Sequence, residues 1–170
     1  MNDKKIRKLV YTALLAALCC VATLVIQIPA HLGGYVNPGD CLVLLSAWLL
    51  GPWYGAAAAG IGSMLADLLS GYAIYAPATL VIKAAMTVLA AFLYRTLSAK
   101  NGFLSAAVSG VAAEVVMIAG YLFYGALLMD SFAASLAGVP GNAMQGLLCL
   151  ILAVLLAQVL KKTPLWSKIG

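Results

Sequence analysis

Three ionisable side chains, Asp67, Lys83 and Glu114, fall within or beside long apolar stretches of the sequence. An acid or base in that position is costly in lipid and is retained where it faces a bundle interior or a cavity. Helical rise gives their depths. Asp67 is about 14 residues, roughly 21 Å, from the inner end of its run, and Glu114 is about 16 Å up its own. Lys83 lies a turn or two below the outer end of the run between them. All three therefore meet between the midplane and the outer face. Two chemistries fit: a structural ion pair of Lys83 with Asp67 or Glu114, or an outward-facing substrate pocket whose cation is paired when empty.

Their polar neighbours favour the pocket. Glu114 precedes Tyr121 by seven residues, which puts both on one helical face. Asn142 and Gln145 form a second polar stripe at the outer end of the last apolar run, and two outer loops carry Tyr35, Asn37, Tyr72 and Tyr75. Phenol, amide and carboxylate groups around a pocket suit a small ligand with a flat ring and several hydrogen-bonding groups. The candidate substrate-binding set is thus Tyr35, Asn37, Asp67, Tyr75, Lys83, Glu114, Tyr121, Asn142 and Gln145. Two acids and one base among them argue for a neutral or cationic heteroaromatic ligand over a polyanion. His31 reads as a solvated loop histidine.

Other chemistries lack their parts. There is no phosphate-binding Walker motif for ATP hydrolysis, no His-Glu-x-x-His metal motif and no serine–histidine arrangement at membrane depth. Of the four cysteines, Cys19, Cys20 and Cys149 sit in apolar runs and Cys41 at a run boundary, with no Cys-x-x-Cys spacing, so all four read as small buried hydrophobes. No cofactor and no metal are expected, and no enzymatic activity.

These side chains must be positioned by membrane helices. The 170 residues are 65% hydrophobic and 9% charged, against about 25% charged in a soluble domain. That composition excludes a soluble enzyme, a nucleic-acid-binding domain and a disordered chain. Apolar runs cover Leu9 to Ile28, Cys41 to Leu50, Trp53 to Leu69, Ala78 to Leu97, Phe103 to Met129 and Gly141 to Leu160. They predict an all-α polytopic membrane protein: one domain over 1–170, with six transmembrane helices and short loops. The second run is too short to span alone and reads as a tilted or re-entrant element, turned by Gly51-Pro52 into the third. The first run lacks a small-x-small cleavage site and reads as a retained helix, although its basic start resembles a signal peptide.

Charge sets the expected topology. With the N-terminus inside, the inner ends hold Lys4, Lys5, Arg7, Lys8, Arg95, Lys100, Lys161, Lys162 and Lys168, while the outer loops hold no Lys or Arg. Basic residues accumulate on the cytoplasmic side, so both termini are expected there, in a multi-pass protein of the cell membrane. Trp48, Trp53, Trp166, Tyr72, Tyr75 and Tyr94 lie near helix ends and read as interfacial anchors. Ala13 and Ala17 make a small-xxx-small pair on the first helix, and Gly55, Ala59, Gly62 and Ala66 repeat the pattern on the third. Small residues at this spacing admit a neighbouring helix closely; one face is expected to pack internally and the other to be external.

Several segments resemble a known family. They are Thr12-Ala13-Leu14-Leu15-Ala16-Ala17-Leu18 after the basic start, Tyr35-Val36-Asn37-Pro38-Gly39-Asp40, Leu50-Gly51-Pro52-Trp53-Tyr54-Gly55, Ala66-Asp67-Leu68-Leu69-Ser70-Gly71-Tyr72 and Tyr75-Ala76-Pro77-Ala78-Thr79, with Lys83 a turn later. Together with the length and topology, they make the chain similar to the substrate-binding membrane subunit (S component) of energy-coupling factor (ECF) vitamin transporters. The similarity is greatest to the branch linked to hydroxymethylpyrimidine, pyridoxine-like and riboflavin-type substrates, and the last two helices are least diagnostic. The resemblance implies high-affinity capture of a small water-soluble vitamin from outside. It also implies docking through the alanine-rich face of the first helix, here Ala13 and Ala17, on a scaffold membrane subunit that carries two cytoplasmic ATPases. The subunit would topple in the bilayer to deliver its ligand, and the loop from His31 to Asp40 would act as a lid. Two alternatives from other classes are a stand-alone proton-coupled carrier using Glu114 or Asp67 as relay, and a non-transporting membrane assembly subunit.

Overall fold

The computed structural model describes residues 3–29, 35–97, 101–164 and 166. Helix α1 (Asp3–Val25) is followed by a small antiparallel ribbon of β1 (Ile28–Pro29) and β2 (Tyr35–Val36), paired Ile28 to Val36 and Pro29 to Tyr35. Then come α2 (Gly39–Leu50), α3 (Pro52–Leu69), α4 (Ala76–Leu97), α5 (Gly102–Met129), the short α6 (Phe132–Leu136) and α7 (Val139–Lys161). His31, Lys100 and Lys168 lie outside the described residues. Among the described residues, four segments are long and apolar enough to cross a membrane: α1, α4, α5 and the stretch Phe132–Lys161.

The first helix starts earlier than its apolar run, because Lys4, Lys5, Arg7 and Lys8 are good helix formers that extend it beyond the apolar slab. It ends before Ile28 because that residue and Pro29 leave to pair with Tyr35 and Val36. The stretch after Met129, expected as a mixed loop, contains α6. Asp130 closes α5 in a left-handed conformation (φ 50°), and the Ser131 side chain accepts from the Ala134 N–H to start the new turn.

The short second run is a single helix enclosed by the rest of the bundle. Eleven of the twelve residues of α2 are buried, and α1, α3, α4, α5 and α7 all pack against it. A helix that is apolar all round belongs in a core. Shielded from lipid by its neighbours, α2 has no need to match the bilayer thickness. Gly51, at φ 80°, makes the reversal into α3, a conformation that favours glycine, and Pro52 then occupies the first turn of α3, where its missing N–H is not needed.

The small residues of α3 face inward. Gly55, Ala59, Gly62 and Ala66 are all buried. A Cβ at Gly55 would stand 2.6 Å from the Ser46 carbonyl oxygen of α2, and one at Gly62 would stand 2.8 Å from the Cys19 Cβ of α1. Glycine is what lets these backbones approach. Ala13 and Ala17 of α1, by contrast, are exposed. Trp48 is not an interfacial anchor: it is buried, its indole N–H donates to Ser109 Oγ at 3.1 Å, and its ring lies 5.8 Å from that of Tyr94. Trp53, 73% exposed, does sit at the surface. All four cysteines are buried and free.

Charge divides the two ends of the bundle. Lys8 lies over the Tyr54 ring, Arg95 beside Gly51, and Lys161 donates to the Gly102 carbonyl while facing the Tyr94 and Trp166 rings. The other end holds the ribbon, the α3–α4 connection and α6.

Candidate functional site

At the end away from the lysines, five helices and the ribbon surround a polar cavity. Its inner space, counted as room for the centres of water molecules, is about 90 Å³, against roughly 10–15 Å³ for one water. Each wall follows from helical periodicity. In α5, Tyr121, Gly125 and Met129 recur every four residues, and Asn142 and Gln145 of α7 share a face just after Gly138, which precedes that helix. Tyr75 just before α4 and Thr79 in its first turn form one wall, Asp67 and Tyr72 close the α3 side, and Ser135 of α6 completes the rim. Tyr35 of β2 and Asn37, just before α2, form the remaining wall.

The ribbon is tied to the bundle by side-chain bonds. Tyr35 Oη donates to Asp67 Oδ1 at 2.5 Å, and the Tyr35 ring lies 4.8 Å from that of Tyr72. Burial pushes the Tyr35 phenol above its ordinary range, and its bond to the Asp67 carboxylate pushes it further the same way, so it remains a donor through neutral and mildly alkaline pH. Burial likewise raises Tyr75, whose ring meets Tyr124 edge-on at 5.9 Å. Gln27 donates to Ser70 Oγ at 2.6 Å, and Tyr124 Oη donates to the Ile74 carbonyl, fixing the α3–α4 connection from two sides. Ser135 Oγ donates to the Leu122 carbonyl at 2.7 Å, which seats α6 on α5.

The floor is a buried charge network that corrects the sequence reading. Lys83 pairs with neither Asp67 nor Glu114. Its ammonium donates to Asp40 Oδ1 in a salt bridge in which Asp40 is fully buried and Lys83 is 4% exposed. Gln145 Nε2 donates to the other Asp40 oxygen, and Gln145 Oε1 accepts from the Asn37 backbone N–H at 2.8 Å. Asn37 Oδ1 accepts from Gly39 N–H at 2.8 Å, and Cys149 donates to the Asn37 carbonyl. The network thus joins the turn before α2 to α4 and α7. Lys83 also sits 5.3 Å from the Tyr121 ring centre, and Tyr121 Oη and Thr79 Oγ1 are 3.0 Å apart.

Seven of the nine residues expected to bind substrate therefore border one space: Tyr35, Asn37, Asp67, Tyr75, Tyr121, Asn142 and Gln145. Lys83 and Glu114 do not border it. Lys83 lies in the floor network. Glu114 is buried with neither carboxylate oxygen hydrogen-bonded among the described residues, and it packs against Gly146 of α7. Sequence reasoning missed Asp40, which follows Pro38 and Gly39 and reads as a loop acid. Its signal was its place in the first turn of an apolar helix, where a carboxylate is favoured by the helix dipole. Thr79 was missed although it precedes Lys83 by one turn on the same buried face. No group of His, Cys, Asp and Glu able to hold a metal occurs among the described residues.

Comparison with known proteins gives this architecture a lineage. A family model described as "ECF-type riboflavin transporter, S component" matches residues 3–162. A solved structure described as the S component of a bacterial ECF transporter superposes with a TM-score of 0.73 at 21% identity, over 93% of this chain and 97% of that one. The S component for biotin from an ECF-type ABC transporter superposes with a TM-score of 0.65 at 17% identity, over 93% and 94%. A Pyrococcus woesei protein, described as an uncharacterized protein in the gap 3' region, is 37% identical over 103 residues, 60% of this chain and 67% of its own length. ECF S components are vitamin-binding transport subunits, not enzymes, and partner with a scaffold membrane subunit and two ATPases. The match over nearly the full length, on a bundle that holds a tyrosine-rich cavity at one end, leads to one conclusion: the chain belongs to the ECF-type riboflavin transporter S component family.

Proposed function

We propose that the cavity between β2, α3, α4, α5 and α7 is where this S component captures its small water-soluble vitamin, and that it opens toward the outside of the cell. The observation that carries this reading is the cavity itself: polar and tyrosine-lined, it lies at the end of the bundle opposite Lys8, Arg95 and Lys161. The positive-inside rule then puts the lysine end, and both termini, in the cytoplasm. Tyr35, Asn37, Asp67, Tyr75, Tyr121, Asn142 and Gln145 are the proposed ligand contacts. Lys83 and Glu114 act from below, holding α4, α5 and α7 in place. The ribbon segment around Tyr35 closes the cavity from above.

The docking face for the scaffold subunit is proposed on α1. Ala13 and Ala17 open onto a shallow apolar groove between α1 and α3, bordered by Thr12, Ala57, Ile61 and Leu65. Small residues there admit a partner helix, and the groove lies on the side of the bundle, away from the ligand.

Reconstitution with scaffold and ATPases tests the function. Proteoliposomes should accumulate a vitamin only with internal ATP, and the purified chain should retain the same compound in native mass spectrometry. Uptake by the chain alone without ATP would support a stand-alone carrier instead. A chain that retains no small molecule would defeat the substrate-binding reading.

Orientation has its own test. A cysteine at exposed Ala137, in the α6–α7 connection, should react in whole cells with an impermeant thiol reagent, and one at exposed Thr163 should react only after permeabilisation. The four native cysteines are buried, which keeps the background low. The opposite labelling pattern would reverse the topology and turn the cavity inward.

A further inference from the structure

We infer that Asp67 and the tyrosines around it read a positively charged, planar nitrogen heterocycle, so that the substrate of this chain presents an N–H donor on a cationic or amidine-like ring. The inference rests on the cavity being the substrate site and narrows the chemical class of what enters it.

Asp67 carries the argument. The residue is only 5% exposed and borders the cavity. Its Oδ1 is occupied by the Tyr35 hydroxyl, while Oδ2 is buried with no hydrogen-bond partner among the described residues. The neighbouring Thr79 hydroxyl lies 3.0 Å from Tyr121 Oη, where either group can donate, and Thr79 is also the side chain next to Asp67 that a ligand N–H would have to displace or join. A bare buried carboxylate oxygen carries its desolvation cost uncompensated, and a ligand N–H placed in the cavity is the group that relieves it. A charged N–H relieves it best, because charge-assisted bonds are about twice as strong as neutral ones.

The charge balance of the walls agrees. Among the described residues, Asp67 is the one charged group that borders the cavity. Lys83 sits in the floor, but Asp40 holds its ammonium and Tyr121 lies against it. No lysine or arginine among these lining residues is available to hold a ligand anion.

The aromatic walls supply the third element. Tyr35 and Tyr72 stand together with their planes at 54°, and Tyr75 and Tyr121 face the same space. Phenol rings stack on flat heterocycles and attract cations over their faces. A flat cation with an N–H satisfies the tyrosines and Asp67 at once. A flat anion meets the bare carboxylate, and a non-aromatic cation forgoes the stacking.

The test uses the purified full-length chain in detergent near neutral pH, titrated by calorimetry. The probes are 4-aminopyridine, which is cationic there, nicotinamide, which is neutral, and nicotinate, which is anionic. The cation should bind roughly tenfold to a hundredfold more tightly than either of the others, and Asp67→Asn should abolish that preference. Equal or weaker binding of the cation overturns the inference, as does an unchanged preference in Asp67→Asn. If Asp67→Asn does not fold, the order of the three probes on the wild-type chain decides. Riboflavin separates this inference from the reading beneath it. Tight riboflavin binding by wild type and Asp67→Asn alike, without cation preference, keeps the cavity as substrate site and removes Asp67 as reader. Failure of every probe to bind removes both.

Discussion

Asp40→Asn is expected to be among the most damaging single substitutions in the bundle. It strands the Lys83 ammonium in the protein interior, with Tyr121 beside it and no carboxylate. Removing one partner of a buried ion pair costs about 3–5 kcal/mol, a large share of a typical total stability of about 5–15 kcal/mol. Lys83→Met should be nearly as harmful, because it leaves Asp40 negative and fully buried. The double variant Asp40→Asn with Lys83→Met should recover most of the loss. It removes both charges together, and the asparagine oxygen can still accept from Gln145 Nε2, the bond Asp40 makes now. Thermal unfolding of the purified proteins, arranged as a double-mutant cycle, measures this. Lys83→Met with Glu114→Gln should give no such recovery. Additive losses in the Asp40–Lys83 cycle, or recovery in the Glu114 cycle, would show that the pair has been misassigned.

Ala17→Trp is expected to reduce uptake to background while leaving ligand affinity within about twofold of wild type. Substitutions remote from a site with no shared partners usually change it by only a few tenths of a kcal/mol. The indole would fill the groove that Ala13, Ala17 and Ala57 now leave open between α1 and α3, and a helix that needs close approach could no longer seat. Ala17 is exposed, so the larger side chain need not disturb the interior. Ala13→Trp should behave alike. Transport assays in proteoliposomes, paired with calorimetry on the isolated chain, distinguish the outcomes. Joint loss of binding and uptake would mean that these alanines support the bundle, and normal uptake would place docking elsewhere.

The membrane architecture was legible because the bilayer imposes a simple rule: apolar runs of spanning length separated by Gly, Pro and charge. Leu50-Gly51-Pro52 marked the hairpin between α2 and α3 for the same local reason. The cavity was legible in part, since an acid at depth or a polar stripe on an apolar helix has few bland explanations; that logic found Asp67, Tyr121, Asn142 and Gln145. It could not choose the partner of Lys83. Asp40 is 43 residues away in sequence, and only the burial of α2 brings it under α4. Periodicity on one helix says which residues share a face, not which face of another helix they meet. Trp48 failed for a related reason: a tryptophan near the end of a short apolar run resembles an interfacial anchor until the run proves to be the core. The ribbon formed by Ile28, Pro29, Tyr35 and Val36 was hidden because two-residue strands carry no alternation to read.

The brevity of α2 has a consequence for how far a solute must travel. Twelve residues rise about 18 Å, while the hydrocarbon slab is about 30 Å thick. The protein is therefore thinner along its axis than at its rim, like a well with a short plug at the bottom. On the proposed outward orientation, with the Gly51-Pro52 turn at the inner edge of the slab, a molecule on the Asp40–Gln145 floor would sit about 12 Å below the outer edge. Beneath it remain one helix and the Gly51-Pro52 turn, with Val43, Leu44, Ser46 and Ala47 all enclosed. Under the proposed function, such a shape suits carriage over conduction.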